Sequence, residues 1–83
     1  MGRKLGVVVY GRDYTYEYPS LSSCLEDYPM PDRDTLVRAI EQRQVWSGDG
    51  YTTFDWAVDA DPDAIESAVK RSMRHYKWVK RRK

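Results

Sequence analysis

The spacing of apolar residues changes several times along this chain, and each change marks an element. Lys4 to Tyr10 is a compact run with three consecutive β-branched residues, Val7, Val8 and Val9, at its centre, which predicts a strand. Gly11-Arg12-Asp13 has the composition of a turn. From Tyr14 to Tyr18 the alternation is strict, with Tyr14, Tyr16 and Tyr18 on one face and Thr15 and Glu17 on the other. A period of two predicts a half-exposed strand, paired with the first as a hairpin and ended by Pro19. The tyrosine face has two readings, a layer packed under a helix or the interface of a dimer.

Ser20 to Met30 is rich in serine and bounded by Pro19 and Pro29, so it reads as irregular. Asp32 is an N-cap for a helix running to Arg43, with Leu36, Val37 and Ile40 as its apolar side. Gln44 to Trp46 and Tyr51 to Val58 flank the turn-rich Ser47-Gly48-Asp49-Gly50 and read as a second hairpin. In its longer arm Thr52, Phe54, Trp56 and Val58 share one face while Thr53 and Asp55 share the other. Asp61-Pro62-Asp63 opens a last helix with a cap, a proline at the first helical position and an acid in the first turn. That helix is expected to run to Val79. The order β-β-α-β-β-α predicts an α+β fold, an antiparallel sheet with two helices packed on one face. Residues 1–83 are read as a single domain, with residues 80–83 a frayed basic tail.

Composition alters this picture in small ways. A chain of 83 residues has room for one modest core. Seven Tyr and three Trp stand against one Phe, and their apolar bodies with polar tips suit a small core and an interface alike. The lone Cys24 excludes an internal disulfide and fits a reducing compartment. No apolar run approaches the ~20 residues that cross a bilayer. The start of the chain lacks the apolar region of a signal peptide, and Gly6 stands where myristoylation of Gly2 needs Ser or Thr. The expected setting is cytoplasmic, with no membrane partner.

Charge alters the picture more. The net charge of +1 conceals a segregation, because all 13 acids lie between Asp13 and Glu66. Residues 1–12 carry +3, residues 70–83 carry +8 with no acid, and the stretch between them carries −10. A helix dipole favours acids at the start of the last helix and cations at its end, but accounts for about one turn of charge at each. Eight cations in fourteen residues exceed that and favour an anionic partner, a nucleic acid or an acidic protein surface.

With about 100° between successive helical residues, Ile65, Ala68, Val69, Ser72, Tyr76 and Val79 form one stripe, bordered by Met73. Lys70, Arg71, Arg74, Lys77 and Arg81 fall on the opposite side together with Trp78, and these six are the candidate partner-binding residues. A tryptophan there has three uses. It can stack on a nucleobase while the cations neutralise phosphates. It can anchor a protein interface, where Trp and Arg are enriched. It can also lie over a sheet edge beneath guanidinium groups as a structural cation–π cluster. The acidic middle weighs against a module built only for nucleic acid.

Other chemistries fall away on inspection. Gly6 to Asp13 has the outer spacing of a phosphate-binding loop, but Arg12 replaces its Lys, Asp13 replaces its Ser or Thr, and its interior reads as a strand. Asp59, Asp61 and Asp63 imitate the opening of a calcium loop, yet Ala64 stands where glycine makes the bend and Lys70 where a glutamate closes the site. Cys24 and His75 are too few for a zinc site. As a nucleophile and base they would have to meet in space, and His75 is expected on the flank of the last helix. No catalytic, metal-binding or cofactor-binding residue is assigned, and no cofactor is expected.

The stretch Tyr14-Thr-Tyr-Glu-Tyr-Pro-Ser-Leu-Ser-Ser-Cys-Leu25, followed by Asp34-Thr35-Leu36, resembles in part the strand–Pro–loop–Cys and helix-start pattern of HicB-type antitoxins. Ser20 stands where Asp follows the proline in that pattern, Ser23 where Gly precedes the cysteine, and the repeated Glu-Ala of the helix is missing. The likeness covers under a third of the chain and implies a regulator that binds a partner protein. The combined reading is a small non-enzymatic regulatory binding protein, of inhibitor or accessory type, that docks on a larger protein or nucleoprotein. The alternative is a nucleic-acid binder working through residues 70–83.

Overall fold

The computed structural model describes residues 5–73. Six elements follow one another: β1 (Val7–Tyr10), β2 (Thr15–Tyr18), α1 (Leu21–Asp27), α2 (Arg33–Glu41), β3 (Thr53–Trp56) and α3 (Pro62–Ser72). The strands form one antiparallel sheet in the order β2-β1-β3, with the valine-rich strand at its centre. An α+β fold on an antiparallel sheet matches the sequence pattern. The element order differs from it in two places.

The first is Ser20 to Met30, which holds a helix where the composition reads as irregular. The Ser20 side chain accepts a hydrogen bond from the Ser23 amide at 3.1 Å and caps α1. Leu21, Cys24, Leu25 and Tyr28 recur at helical spacing; Leu21, Cys24 and Tyr28 are buried and Leu25 is partly so. Burial of this stripe outweighs the modest helix propensity of Ser22 and Ser23. The flanking prolines sit outside the helix and mark its limits rather than forbidding it.

The second is Gln44 to Trp46, which forms no strand. One backbone bond, from the Trp46 amide to the Thr52 carbonyl at 2.8 Å, crosses the loop. Asp49 organises the rest: its carboxylate accepts from the amides of Tyr51 and Thr52 at 2.8 and 2.9 Å and from the Thr52 hydroxyl at 2.5 Å. Those bonds, the hydroxyl's above all, hold its carboxyl below the usual carboxylate range. Gly50 takes a φ of 67°, a conformation that favours glycine. The observed order is therefore ββααβα.

α2 begins as the sequence dictates. Asp32 accepts from the Thr35 amide at 2.9 Å and from its hydroxyl at 2.8 Å. It ends two residues before Arg43, which turns left-handed at φ 54°. The Gln44 amide then reaches back to the Ala39 carbonyl at 2.9 Å and the Arg43 amide to that of Ile40 at 3.4 Å, a Schellman closure.

Register decides which side chains share a face. Val7 lies opposite Tyr18 and Trp56, and Val9 opposite Tyr16 and Phe54. These residues line the covered face, where Val7, Val9 and Phe54 are buried. Val8, Tyr10, Thr15, Glu17, Thr53 and Asp55 occupy the other face, which is mixed and largely polar. α1 packs on β2 and on α2, α2 packs on β3, and α3 packs on α2. Leu36, Val37 and Ile40 are buried as their spacing predicts.

Two expectations about the apolar faces need correction. Val58 does not continue the Phe54–Trp56 row: the strand stops at Trp56, the chain turns, and Val58 is fully exposed. In α3 the buried positions are Ala64 and Ser72, while Ile65, Ala68 and Val69 are half-buried, so the inward stripe is rotated toward Ala64. The Arg38 guanidinium donates to the Ser72 carbonyl at 3.1 Å and satisfies a carbonyl at the C-terminal end of α3. The continuation expected to Val79, with Tyr76, and the basic tail 80–83 lie outside the described residues.

Candidate functional site

The aromatic residues divide into a buried ladder and an exposed rim. In the ladder the Tyr18 and Tyr28 rings meet edge-on at 6.2 Å, and Tyr28 meets Trp46 at 5.0 Å and Phe54 at 5.7 Å. Each polar tip has a partner. The Tyr18 hydroxyl donates to the Asp27 carboxylate at 2.6 Å, the Tyr14 and Tyr28 hydroxyls share a bond of 2.6 Å, and the Trp46 indole N–H donates to the Pro29 carbonyl at 3.2 Å. Burial, and then the hydrogen bonds to Asp27 and Tyr14 respectively, push both the Tyr18 and the Tyr28 hydroxyls well above the ordinary phenol range.

The rim lies at the hairpin end of the sheet. Tyr10, Tyr14, Tyr16 and Tyr51 are 44%, 51%, 57% and 46% exposed, so about half of each side chain is available to a partner. Tyr14 lies across Gly11, where an added Cβ would collide with its ring. This close approach explains the glycine. Across the turn the Arg12 guanidinium covers the Tyr51 ring at 4.8 Å from its centroid. Tyr16 leans edge-on against Tyr18 at 4.8 Å, so the rim is continuous with the buried ladder.

This rim borders an edge strand. The Gly11 amide bonds the Tyr14 carbonyl at 2.8 Å, and antiparallel pairing alternates. Tyr14, Tyr16 and Tyr18 therefore turn their backbone groups toward β1, while Thr15 and Glu17 turn theirs outward at the edge of the sheet. The opposite edge is partly closed: the Asp55 carboxylate accepts from the Trp56 amide at 2.8 Å and the Trp56 indole donates to Glu41 at 2.6 Å. Of the two edges, β2 offers the accessible backbone together with the exposed rings.

No family model matches this chain, and no curated protein or solved structure is significantly similar to it. The partial HicB-like pattern thus stands without a family match, and its loop before the cysteine is helical here.

Of the six cationic and aromatic residues singled out by the sequence, Lys70 and Arg71 are described, and both are exposed in the last turn of α3. Arg74, Lys77, Trp78 and Arg81 lie outside the described residues, as does His75. Arg71 does not stand opposite the core. It shares the Ala64–Ala68 side of α3 and borders a cavity with Leu21 and Val37. Sequence reasoning found the alternation of Tyr14, Tyr16 and Tyr18 but missed Tyr10, Arg12 and Tyr51. Only the pairing of β1 with both neighbours brings those three together.

Cys24 is wholly buried, and burial pushes its thiol up to about 12, so it is protonated and shielded at neutral pH. Among the described residues no group of three or more His, Cys, Asp or Glu is placed to hold a metal ion. None of their helices is long and apolar enough to cross a membrane.

Proposed function

We propose that this chain is a non-catalytic binding protein, of inhibitor or accessory type, that docks on a larger protein through the β2 edge and its tyrosine rim. One observation carries the reading: the half-exposed Tyr14 and Tyr16 stand at an edge strand where Thr15 and Glu17 turn their backbone groups outward, with Tyr10 and Tyr51 at the same hairpin end of the sheet. Tyrosine gives large contact area at low entropic cost, and an edge strand adds main-chain bonds to a partner's extended segment. Thr15 and Glu17 supply the main-chain bonds, and Tyr14 and Tyr16 the side-chain contacts. The acidic middle of the chain, −10 between residues 13 and 69, favours a partner with a basic docking surface, a nucleoprotein included. The lone, shielded cysteine accords with a reducing, cytoplasmic setting.

The test is affinity capture from a lysate with and without nuclease. Captured protein that survives nuclease and is lost with Tyr16→Ser plus Tyr51→Ser supports the reading; capture that is indifferent to the double substitution removes it. A second reading draws on the exposed Lys70 and Arg71 at the start of the +8 segment: nucleic-acid binding through residues 70–83. Its mark is an affinity that falls steeply with salt. Absence of any shift of DNA or RNA at low salt ends that alternative.

A further inference from the structure

We propose that the open cleft bordered by α1, α2 and α3 binds a carboxylate carried on an apolar group of about leucine size. The cavity measures about 180 Å³. Leu21 of α1, Val37 of α2, and Ala64 and Ala68 of α3 give it an apolar floor, with Leu5 beside them. A volume of roughly 150 Å³ holds a benzene ring, so this cleft has room for a branched aliphatic or phenyl group. The small side chains of α3 are what leave the space, since a larger residue at Ala64 or Ala68 would fill it.

The rim is polar and built from two helices. Arg33 opens α2, and its guanidinium is steadied by a 3.3 Å bond to the Ser22 hydroxyl of α1. Arg71 closes the last turn of α3, one and two turns beyond Ser67 and Ala64 on the same side of that helix. Among the described residues that line it, Asp34 is the one acid against Arg33 and Arg71, so this lining is net cationic within the acidic middle of the chain. Ser67 adds a hydroxyl beside Arg71. Guanidinium forks match a planar carboxylate, and the apolar floor takes what the carboxylate is attached to. A phosphate would want donors on several sides, and the floor supplies none.

Two sources offer this chemistry: a free small acid, or the C-terminal residue of a peptide chain. The site lies apart from the tyrosine rim and does not depend on docking there, so either proposal can fail alone.

The experiment titrates the full chain with N-acetyl-L-leucine and with N-acetyl-L-leucinamide, followed by amide chemical shifts. The acid should bind with a Kd of about 1 mM, as befits a ligand of its size, and shift Val37, Ser67 and Ala68. The amide, lacking the charge, should bind several-fold more weakly. Arg71→Gln and Arg33→Gln should each weaken the acid by about threefold to tenfold, screened as rim charges are. Ala68→Leu, which fills the floor, should abolish binding while the protein stays folded. In a second arm Gly-Gly-Gly-Leu with a free C-terminus replaces the acetylated residue. Tighter binding of the peptide assigns the site to chain ends, and equal binding assigns it to a small acid. Equal binding of acid and amide, shifts centred elsewhere, or no binding up to about 20 mM overturns the proposal.

Discussion

Tyr16 and Tyr18 are two residues apart on one strand and point to one face, yet one is 57% exposed and the other 8%. The difference comes from what covers them. Tyr18 lies beneath α1, with its hydroxyl on Asp27 and its ring against Tyr28, whereas Tyr16 has passed the limit of that cover. The same residue type at the same register thus acts as a core ring in one place and as available contact surface in the other. Alternation along a strand assigns a face; the reach of the packed helices assigns burial.

The largest expected contrast is in stability. Tyr28→Ala removes the ring that joins Tyr18, Trp46 and Phe54, and should cost about 3–5 kcal/mol in urea unfolding. An effect below about 1 kcal/mol would mean that the ladder is not the core of this fold. Tyr18→Phe keeps the ring and deletes the bond to Asp27, for a smaller loss of about 1 kcal/mol by the same measurement.

Alkaline pH should show the buried side of the comparison next. The Cys24 thiol is pushed up to about 12 from an ordinary value of 9.0, chiefly by burial, and Tyr18 and Tyr28 are raised from 10.0 for the same leading reason. Above pH 9 the unfolded chain releases these protons while the folded chain retains them. Stability is then complete below about pH 9 and falls as pH rises toward 12, on the order of 1 kcal/mol per pH unit for one such group. Unfolding midpoints at pH 8, 9.5 and 11 check the sign. Iodoacetamide should leave Cys24 unmodified in the folded protein at pH 8 and label it in urea.

The smallest stability effects belong to the rim. Tyr16→Ser and Tyr51→Ser should each change unfolding free energy by about 0.5 kcal/mol or less, because their rings are half in water already. Their effect should fall on partner capture. A rim substitution that unfolds the protein would erase the distinction between the two sets of rings.

Much of the fold was legible in the residues. The triple valine, the Tyr14–Tyr18 alternation, the Asp32 cap and the Asp61-Pro62 start each encode local structure by a local rule, and each element is found where those rules place it. α1 was not legible, because its serines and flanking prolines carry the composition of a loop while its stability comes from burial of Leu21, Cys24 and Tyr28 by distant elements. The second hairpin failed for the opposite reason: its turn is real, but only one backbone bond joins its arms. The site was less legible than the fold. Arg12 meets Tyr51, and Arg33 meets the same cavity as Arg71, through contacts between segments far apart in sequence. Periodicity has no access to such meetings.

Tyrosine nitration mapped residue by residue, in the isolated protein and in the captured complex, tests the division of the rings most directly. Tyr16 and Tyr51 should react in the isolated protein and be protected in the complex, while Tyr18 and Tyr28 react only after unfolding. Nitration of Tyr18 as fast as Tyr16, or unchanged reactivity of Tyr16 and Tyr51 on capture, would contradict the account.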